Sequence, residues 1–477
     1  MQRPAPGLGR FFGSLSLTVL LNVLVKPGWV VLENVVQNRL GHAAFGLVAA
    51  LTSLAILVGA LLDLGLTQSG TRRTATEPDF FAEHFPTMHT LRGLLNGVAL
   101  AVLLGAGWLL GYRGAQLALL AGLGGALLLA QYAQFLRGLF QGRQHFRTDA
   151  GLSVLEKILL LASVLALVAV PGALTLGRYV GARLGAAVFV VVLLYGLLRK
   201  FFGPVRARWN ARSARGLLRQ SLPFALIMVL YGLNERVDML MLERLAPPRE
   251  AGYYAGAYRW MDAAMMYAWT VLPLFFARFA AANARPAELR ELLHLGQRVV
   301  AVPLLFVVAF VLFRGEVLFW QYSHSTAAEV GRMSLYLKIL FLNVLVHAFF
   351  AIYSTLLTST GHERAVSGAI ALSVALNIGL NLWLMPRYGA LAGAANTLVC
   401  AVFVSAGYVV LLARAGTVPV PGRLLARLLL AFGLLCGGWY GLRQGLALEW
   451  WLETGIMAVV FGLIVLGTGL ARKPFNN

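Results

Sequence analysis

The sequence predicts an all-α, polytopic membrane protein with about fourteen transmembrane helices, and three observations support this prediction. Of the 477 residues, 59% are hydrophobic and only 12% are charged, whereas soluble domains carry about 25% charged residues. The mean hydropathy is +0.75 over the whole chain, so apolar residues must recur as many separate segments. Runs such as residues 158–170, in which Ser163 is the one polar residue, show no alternation, unlike the strands of a transmembrane barrel. This composition excludes a soluble enzyme of this size.

Windows of roughly 20 apolar residues, the length that a spanning helix needs, locate each element in turn. The first window follows a short basic N-terminus and contains no small-x-small cleavage site, so we expect a retained helix rather than a signal peptide. Segments rich in glycine and basic residues separate the windows that follow. The windows of the first half are 11–36, 44–66, 91–112, 115–140, 150–171 and 179–199.

The second half continues after the basic stretch 199–219 with windows 221–245, 251–280, 296–320, 334–359, 365–386, 390–414, 422–442 and 449–470. Weak internal repeats relate the halves: Glu33-x5-Arg39 in helix one matches Asp238-x5-Arg244 in helix seven. We therefore predict two pseudo-symmetric six-helix lobes with the substrate site between them. The predicted boundaries are 1–202 for the N-terminal lobe, 203–220 for a basic cytoplasmic linker, 221–416 for the C-terminal lobe and 417–477 for an additional helix pair.

The formal net charge of +21 arises from 40 Lys and Arg residues against 19 Asp and Glu residues. If the N-terminus is cytoplasmic, about 26 of the 40 cations fall on the cytoplasmic side and about 11 on the other side. This asymmetry predicts that both termini are cytoplasmic. Most of the charge is then a topology signal that also contacts anionic membrane lipids, and nucleic acid is not needed to explain it.

No catalytic motif occurs in the sequence. The chain has no Gly-Lys-Ser/Thr phosphate loop, and its eight histidines form no paired ligand motif. Cys400 and Cys436 lie inside apolar runs, without a second ligand at zinc-like spacing. We therefore expect no enzymatic activity, no cofactor and no metal site.

Polar residues inside the apolar windows are the candidates for function, because a charge at mid-bilayer costs about 2.5–3.5 kcal/mol on insertion scales. Helix one carries Asn22, Lys26 and Glu33 on roughly one face, and Pro27 predicts a kink beside them. Lys26 has no acid at i±3 or i±4. Glu33 lies near the outer interface, where an ordinary helix-end charge is the alternative interpretation.

Helix seven carries Asn234, Glu235, Arg236 and Asp238. Asn234 and Asp238 share a face, whereas Arg236 points about 200° away from Asn234 at 100° per residue. Arg236 lies about 21 Å from the cytoplasmic start of its window at 1.5 Å per residue. A structural alternative is that Asp238 or Glu235 neutralises Arg236.

Helix eight adds Arg259 and Asp262, which are spaced i,i+3. The structural alternative is that they form an ion pair within the helix. Arg259 lies about 12 Å below the outer end of its window, and Lys26 lies as deep as Arg236. Charge and depth therefore predict a cationic layer that would attract an anion. The predicted substrate-binding residues are Lys26, Arg236, Arg259, Asn22 and Asn234, and the predicted coupling or gating residues are Glu33, Asp238, Glu235 and Asp262.

Three motifs resemble those of one family. They are Asn377-x3-Asn381-Leu-Trp-Leu-Met-Pro386-Arg-Tyr388-Gly389 with Gly393, Phe45-Gly46 with Asp63-Leu-Gly-Leu66, and Asp238 with Gly252-Tyr253-Tyr254. In order and spacing they resemble the polysaccharide biosynthesis membrane proteins, the Wzx-type flippases of lipid-linked oligosaccharides. This family belongs to the multidrug/oligosaccharidyl-lipid/polysaccharide exporter (MOP) superfamily.

The resemblance implies a flippase that moves a polyprenyl-diphosphate-linked oligosaccharide across the bacterial cytoplasmic membrane by alternating access between two lobes. Its implied partners are the lipid-linked substrate, membrane lipids, and polysaccharide polymerase and glycosyltransferases. Three alternatives stay open at this point. They are a Na+- or H+-coupled multidrug or metabolite antiporter that uses the acidic residues, a peptidoglycan-precursor flippase with a similar extra helix pair, and a membrane scaffold without transport activity.

Overall fold

A computed structural model describes residues 27–67, 70, 73–74, 79–143, 145–204, 207–282, 285–416, 421–446 and 448–471. Within these ranges the regular structure is helical and no strand occurs. The predicted all-α fold class is therefore confirmed. It follows from the apolar windows, because a segment surrounded by hydrocarbon must satisfy its backbone hydrogen bonds internally.

Fourteen long helices follow one another in the described ranges. Twelve of them, α2 to α6 and α8 to α14, are long and apolar enough to cross a membrane. The helices are α1 (residues 27–40), α2 (His42–Asp63), α3 (Phe85–Leu109), α4 (Ala115–Gly142), α5 (Phe146–Ala169), α6 (Leu176–Phe202), α7 (Ala211–Leu245), α8 (Pro248–Ala281), α9 (Pro286–Arg314), α10 (Ala327–Ser359), α11 (Glu363–Tyr388), α12 (Ala390–Ala415), α13 (Gly422–Gly445) and α14 (Trp450–Gly467).

Side chains next to several helix starts satisfy the first backbone N–H groups, which lack partners within the helix. Before α6, the Thr175 hydroxyl accepts a hydrogen bond from the backbone N–H of Arg178 at 3.3 Å. Before α10, Thr326 and Glu329 form a capping box, in which each side chain accepts from the other residue's backbone N–H. Pro248 opens α8, where its missing N–H costs nothing. These local signals fix where the apolar runs become helical.

The chain divides into two compact units, Met1–Leu240 and Met241–Asn477, and the division falls within α7. In unit 1, α4 packs against α2, α3 and α6, and α5 packs against α6. Its apolar interior includes Leu51, Leu120, Leu136 and Leu194, all of them fully buried. These side chains come from α2, α4 and α6, so burial between these helices holds unit 1 together.

In unit 2, α10 is the central helix. It packs against α8, α9 and α12, and α11 packs against α12. Leu337, Leu340, Val344 and Ile352 of α10 are fully buried. A helix that is apolar all round is expected at the centre of a unit that neighbouring helices surround.

Large apolar side chains are exposed on many helices, including Leu109 at 78%, Val192 at 65%, Val459 at 67% and Leu463 at 64%. Soluble monomers rarely expose such extensive apolar surfaces. Together with the twelve candidate spans, these surfaces identify a multi-pass membrane protein whose outer helix faces contact lipid.

The additional helix pair, α13 and α14, docks on α9. Trp439 of α13 is fully buried and stacks on Phe313 of α9, with ring centroids 6.1 Å apart. The Nε of Arg314, at the end of α9, donates to Glu453 of α14 at 2.7 Å. Glu453 is only 1% exposed, so this ion pair and the stacked rings together hold the pair against unit 2.

We expect Glu453→Gln to loosen α13 and α14 from α9, because Arg314 then faces a neutral partner in a buried position. A hydrogen bond to a charged group contributes about 1.5–3 kcal/mol, and we expect a loss of that order. Hydrogen exchange of the purified protein would measure it as faster exchange confined to α13 and α14. Glu449→Gln, an exposed residue one turn before Glu453, is the control, and equal exchange in the two variants would contradict the prediction.

Candidate functional site

The predicted site residues of α7 lie in the second half of that helix. Asp238 is buried, at 3% exposure, and Asn234, Glu235 and Arg236 are half-buried. Arg236 lies about 14 Å from the end of α7 at Leu245, at 1.5 Å per residue. One helix therefore brings four of the predicted residues into little more than one turn, about 14 Å before the end of α7.

The two predicted residues of α8, Arg259 and Asp262, are both half-buried and lie one turn apart. The Nε of Arg259 donates to the carbonyl oxygen of Ala255 at 3.1 Å, so part of the guanidinium is held against its own helix. Arg259 lies about 17 Å from the start of α8 at Pro248. Arg259 therefore lies in the first half of α8, farther from the helix start than the roughly 12 Å that the sequence window predicts, because α8 begins three residues earlier.

Glu33 of α1, predicted as a coupling or gating residue, is held by two side chains of α6. Its Oε1 accepts a hydrogen bond from the Tyr179 hydroxyl at 3.1 Å and lies 3.6 Å from Nη1 of Arg183. Arg183 also donates to the Tyr179 hydroxyl at 3.1 Å, and its guanidinium lies 5.8 Å from the ring centroid of Trp29. The carboxylate of Glu33 is therefore compensated within unit 1 by a cation and a hydroxyl group.

Arg183, the cation of this cluster, is not among the predicted site residues. It lies inside the predicted span 179–199, so the criterion that selected Glu33, an ionisable residue within an apolar window, applies to it equally. Its side chain is 20% exposed. Because its carboxylate partner is 150 positions away in the sequence, no local pattern could have indicated the pair.

Asn22 and Lys26 lie outside the described residues, which begin at residue 27. Their predicted place on one face of helix one, and the predicted role of Lys26 in a cationic layer, therefore stay predictions.

A second buried ion pair of unit 1 joins the end of α2 to α3. Nη1 of Arg92 lies 2.6 Å from Oδ1 of Asp63, and Arg92 is only 1% exposed. Asp63 also accepts a hydrogen bond from the Thr67 hydroxyl at 2.7 Å. Asp63 belongs to one of the family motifs in the sequence. The structure gives Asp63 and Arg92 a shared position inside unit 1, where each compensates the charge of the other.

The asparagines of the most extended family motif form a chain of amide hydrogen bonds in unit 2. Nδ2 of Asn381 donates to Oδ1 of Asn377 at 2.9 Å, and Nδ2 of Asn396 donates to Oδ1 of Asn381 at 2.8 Å. All three residues are buried, at no more than 3% exposure. Amides that pair across α11 and α12 satisfy one another in a place without water, so this part of the motif has a structural explanation.

Gly389, in the same motif, is required by its backbone and by its neighbour. Its φ is +56°, a conformation that glycine adopts without steric cost. A Cβ atom built there would lie 3.2 Å from the carboxylate of Glu250. That carboxylate accepts hydrogen bonds from the Tyr336 hydroxyl at 2.8 Å and from the backbone N–H of Ala390 at 3.2 Å. The motif therefore ties α8, α10 and α12 together at one end of unit 2.

Between α13 and α14 lies an apolar groove with a volume of about 350 Å³. Gly438, Gly441, Gly445, Ile456 and Val460 line it. The small glycine surfaces leave the space open, and the lining offers apolar contact to a hydrocarbon chain. Within the described ranges, no group of three His, Cys, Asp or Glu side chains is arranged to hold a metal ion.

Comparisons with known proteins identify both a family and a fold. The sequence profile of the family described as "Polysaccharide biosynthesis protein" matches residues 11–276. No curated protein sequence matches the chain. Among solved structures, the lipid II flippase MurJ in an inward closed conformation has a TM-score of 0.75 at 10% sequence identity, over 95% of this chain and 97% of that chain.

Two further structures share the fold. A multidrug resistance transporter of the MATE family, in an inward-facing conformation, has a TM-score of 0.67 at 14% identity, over 84% of this chain and 98% of that chain. A MOP superfamily transporter from Pyrococcus furiosus, described as having a binding pocket of reversed polarity, has a TM-score of 0.61 at 16% identity, over 85% and 96%. At these identities the likeness concerns the fold alone.

Proposed function

Because the chain belongs to the polysaccharide biosynthesis protein family, we propose that it is a flippase of the MOP superfamily. In this proposal it moves a polyprenyl-diphosphate-linked oligosaccharide from the inner to the outer leaflet of the bacterial cytoplasmic membrane, by alternating access. Both termini then lie in the cytoplasm, as the distribution of basic residues predicts.

The observation that supports this substrate best is that each unit carries a half-buried arginine within a long helix, Arg236 on α7 in unit 1 and Arg259 on α8 in unit 2. A cation inside an apolar segment is costly unless it faces a polar interior. A diphosphate matches it, because guanidinium groups bind phosphate oxygens through two parallel, charge-assisted hydrogen bonds. In the proposal, Lys26 joins them, and Asn22 and Asn234 supply hydrogen bonds to the sugar-phosphate headgroup.

No covalent step is needed for this function. The barrier to moving a charged headgroup across a bilayer is the loss of its hydration, and fixed cations and amides in a low-dielectric cavity replace part of that hydration. We propose that the carboxylates of Glu33, Asp238, Glu235 and Asp262 attract the cationic residues and so favour one of the two conformational states of the transport cycle. Glu33 already forms such a compensated cluster with Arg183 and Tyr179.

The polyprenyl tail stays in hydrocarbon throughout the proposed cycle. The apolar groove between α13 and α14 is suited to such a chain, because its lining is apolar. The lipid II flippase structure covers 95% of this chain and the MATE structure 84%. The difference is roughly 50 residues, close to the length of the segment Gly422–Gly467. We therefore propose that the helix pair serves the polyprenyl tail of a lipid-linked cargo.

A reconstituted system tests the proposal directly. The purified protein would be placed in liposomes that contain a polyprenyl-diphosphate oligosaccharide with a fluorescent sugar, and a membrane-impermeant quencher would report the exposed fraction. We expect the quenched fraction to rise from about half towards completion, and protein-free liposomes are the control. Equal quenching in both, with a correctly inserted protein, would overturn the assignment.

Lipid II is the second candidate substrate, because the lipid II flippase structure shares its fold with 95% of this chain. It presents the same polyprenyl diphosphate, so the two substrates differ in the sugar and the peptide. The same liposome assay with fluorescent lipid II separates them, and faster flipping of lipid II than of the oligosaccharide would replace the first candidate.

A Na+- or H+-coupled antiporter for drugs or metabolites is the remaining alternative, and Asp238 is the residue that tests it. This carboxylate is buried, as a cation-binding group would be. We expect Asp238→Asn to leave drug accumulation in inverted vesicles unchanged, because arginines in the same helices repel a cationic drug. Drug efflux by the wild-type protein that Asp238→Asn abolishes and Asp238→Glu retains would favour the antiporter.

A further inference from the structure

The segment that joins α6 to α7 is the most basic part of the chain. Between residues 199 and 219 the sequence has seven Arg and Lys residues and no Asp or Glu. Five of these cations have described side chains and all five are exposed: Arg199, Lys200, Arg208, Arg212 and Arg215. We call these five residues the basic platform.

The platform is fixed to unit 1 rather than carried on a loose connection. The backbone N–H of Arg208 donates to the Thr90 hydroxyl of α3 at 3.1 Å. The Asn210 side chain accepts hydrogen bonds from the backbone N–H groups of Arg212 and Ser213, each at 3.1 Å, and so caps α7.

The opposite face of the first turns of α7 is apolar and buried. Ala214 and Leu217 are 3% and 2% exposed and belong to the same core cluster as Leu194 and Leu198 of α6. Because one face of α7 is buried and its first turn is capped, the orientation of its exposed face is fixed. The arginines of that face therefore form one surface of fixed shape, with little rotational freedom of the backbone to lose on binding.

The charges of the platform are not compensated within the described part of the chain. None of its five side chains forms an ion pair there, whereas the other cations of this unit that lie near a carboxylate, Arg92, Arg137 and Arg183, are paired at 2.6, 2.7 and 3.6 Å. These exposed charges are therefore available to solvent ions or to an anionic surface.

Two exposed aromatic side chains accompany the charges. Phe201 is 46% exposed and Trp209 is 53% exposed, and each is next in sequence to a platform cation. Aromatic rings beside Lys and Arg, close to the ends of spanning helices, are typical of segments that lie at the level of lipid headgroups. The Phe201 ring also packs edge-on against Phe140 and His145, with ring centroids 5.8 and 5.5 Å apart. Trp209 is therefore the ring that favours a lipid surface over a soluble acidic protein.

We propose that the basic platform binds the anionic phospholipid headgroups of the inner leaflet, with phosphatidylglycerol as the representative chemistry. The occupant is the bulk lipid of the membrane and not the transported molecule. This lipid contact anchors unit 1 at the headgroup level through α6 and α7, the two helices that the platform joins. The interaction is distinct from the effect of the same charges on membrane insertion, because it persists in the folded, purified protein.

The test compares two triple variants of the full chain. Arg208→Gln, Arg212→Gln and Arg215→Gln remove three charges from the platform. Arg364→Gln, Arg414→Gln and Arg423→Gln remove three exposed charges elsewhere on the predicted cytoplasmic side. Native mass spectrometry in detergent would measure the affinity of each protein for phosphatidylglycerol and for phosphatidylcholine, and unfolding in phosphatidylcholine alone would verify that all three proteins are folded.

We expect the platform variant to bind phosphatidylglycerol on the order of 100-fold more weakly than the wild type, since each cation near an anionic surface contributes about a factor of five. The control variant should change by less than about threefold and phosphatidylcholine binding should not change. Equal affinity in wild type and platform variant would overturn the proposal. So would an equal loss in both variants, which indicates net charge alone.

A polyprenyl diphosphate arm separates bulk lipid from cargo. If the platform variant loses affinity for polyprenyl diphosphate but keeps its affinity for phosphatidylglycerol, the platform captures substrate and the proposal is wrong. Loss of phosphatidylglycerol binding with full polyprenyl diphosphate binding supports it. Neither result depends on transport, so a failure here is distinguishable from a failure of the proposed flippase function.

Discussion

Replacing Arg236 by glutamine is expected to lower the rate of oligosaccharide flipping about 10- to 100-fold. Arg236 is half-buried in the second half of α7, where its contact with a phosphate would be less screened by water than at the surface. A hydrogen bond to a charged group contributes about 1.5–3 kcal/mol, which corresponds to this range of rates. The measurement is the initial rate in the liposome assay, supported by polysaccharide export in a flippase-deficient strain at equal protein expression.

Two further variants define what the loss means. Arg236→Lys keeps the charge but not the planar fork that binds two phosphate oxygens, so we expect an intermediate rate. Arg278→Gln removes an exposed arginine close to the end of α8, and we expect a rate close to that of the wild type. Wild-type activity in both Arg236→Gln and Lys26→Ala would remove the cationic site from the mechanism.

The helices were predictable from the sequence because of a simple physical constraint. A run such as 158–169, with Ser163 as its one polar residue, is too apolar to be anything but a buried or lipid-facing segment, and the structure places it within α5. Helix ends were less predictable. The sequence window for helix seven begins at 221, whereas α7 begins at Ala211. The composition of the stretch before 221 predicts a basic linker, but the Asn210 cap and the buried Leu217 extend the helix into it.

The candidate site could be predicted only as a set of unusual residues. Charge inside apolar windows identified Glu33, Arg236 and Arg259, and the structure places all three in helices with restricted exposure. Their partners were not predictable, because pairing between helices depends on tertiary packing. Arg183 meets Glu33 across 150 residues of sequence, and no periodicity within either helix encodes that contact.

The buried ion pair between Asp63 and Arg92 leads to the second large expected effect. Asp63→Asn keeps the size of the side chain but leaves the guanidinium of Arg92, which is 1% exposed, without its counter-charge. Breaking a buried pair by removing one partner costs about 3–5 kcal/mol. We expect a lower thermal unfolding midpoint of the purified protein in detergent and a lower yield in the membrane.

A surface pair of the same length isolates the role of burial. Arg285 and Glu288 also have an N···O distance of 2.6 Å, but their side chains are 62% and 41% exposed, and an exposed i,i+3 pair contributes no more than about 0.5 kcal/mol. Glu288→Gln should therefore leave the midpoint almost unchanged. The double variant Asp63→Leu with Arg92→Met should recover most of the loss, because an apolar pair needs no counter-charge. If Asp63→Asn lowers the midpoint no more than Glu288→Gln does, Arg92 obtains its compensation elsewhere and the pair does not hold α2 against α3.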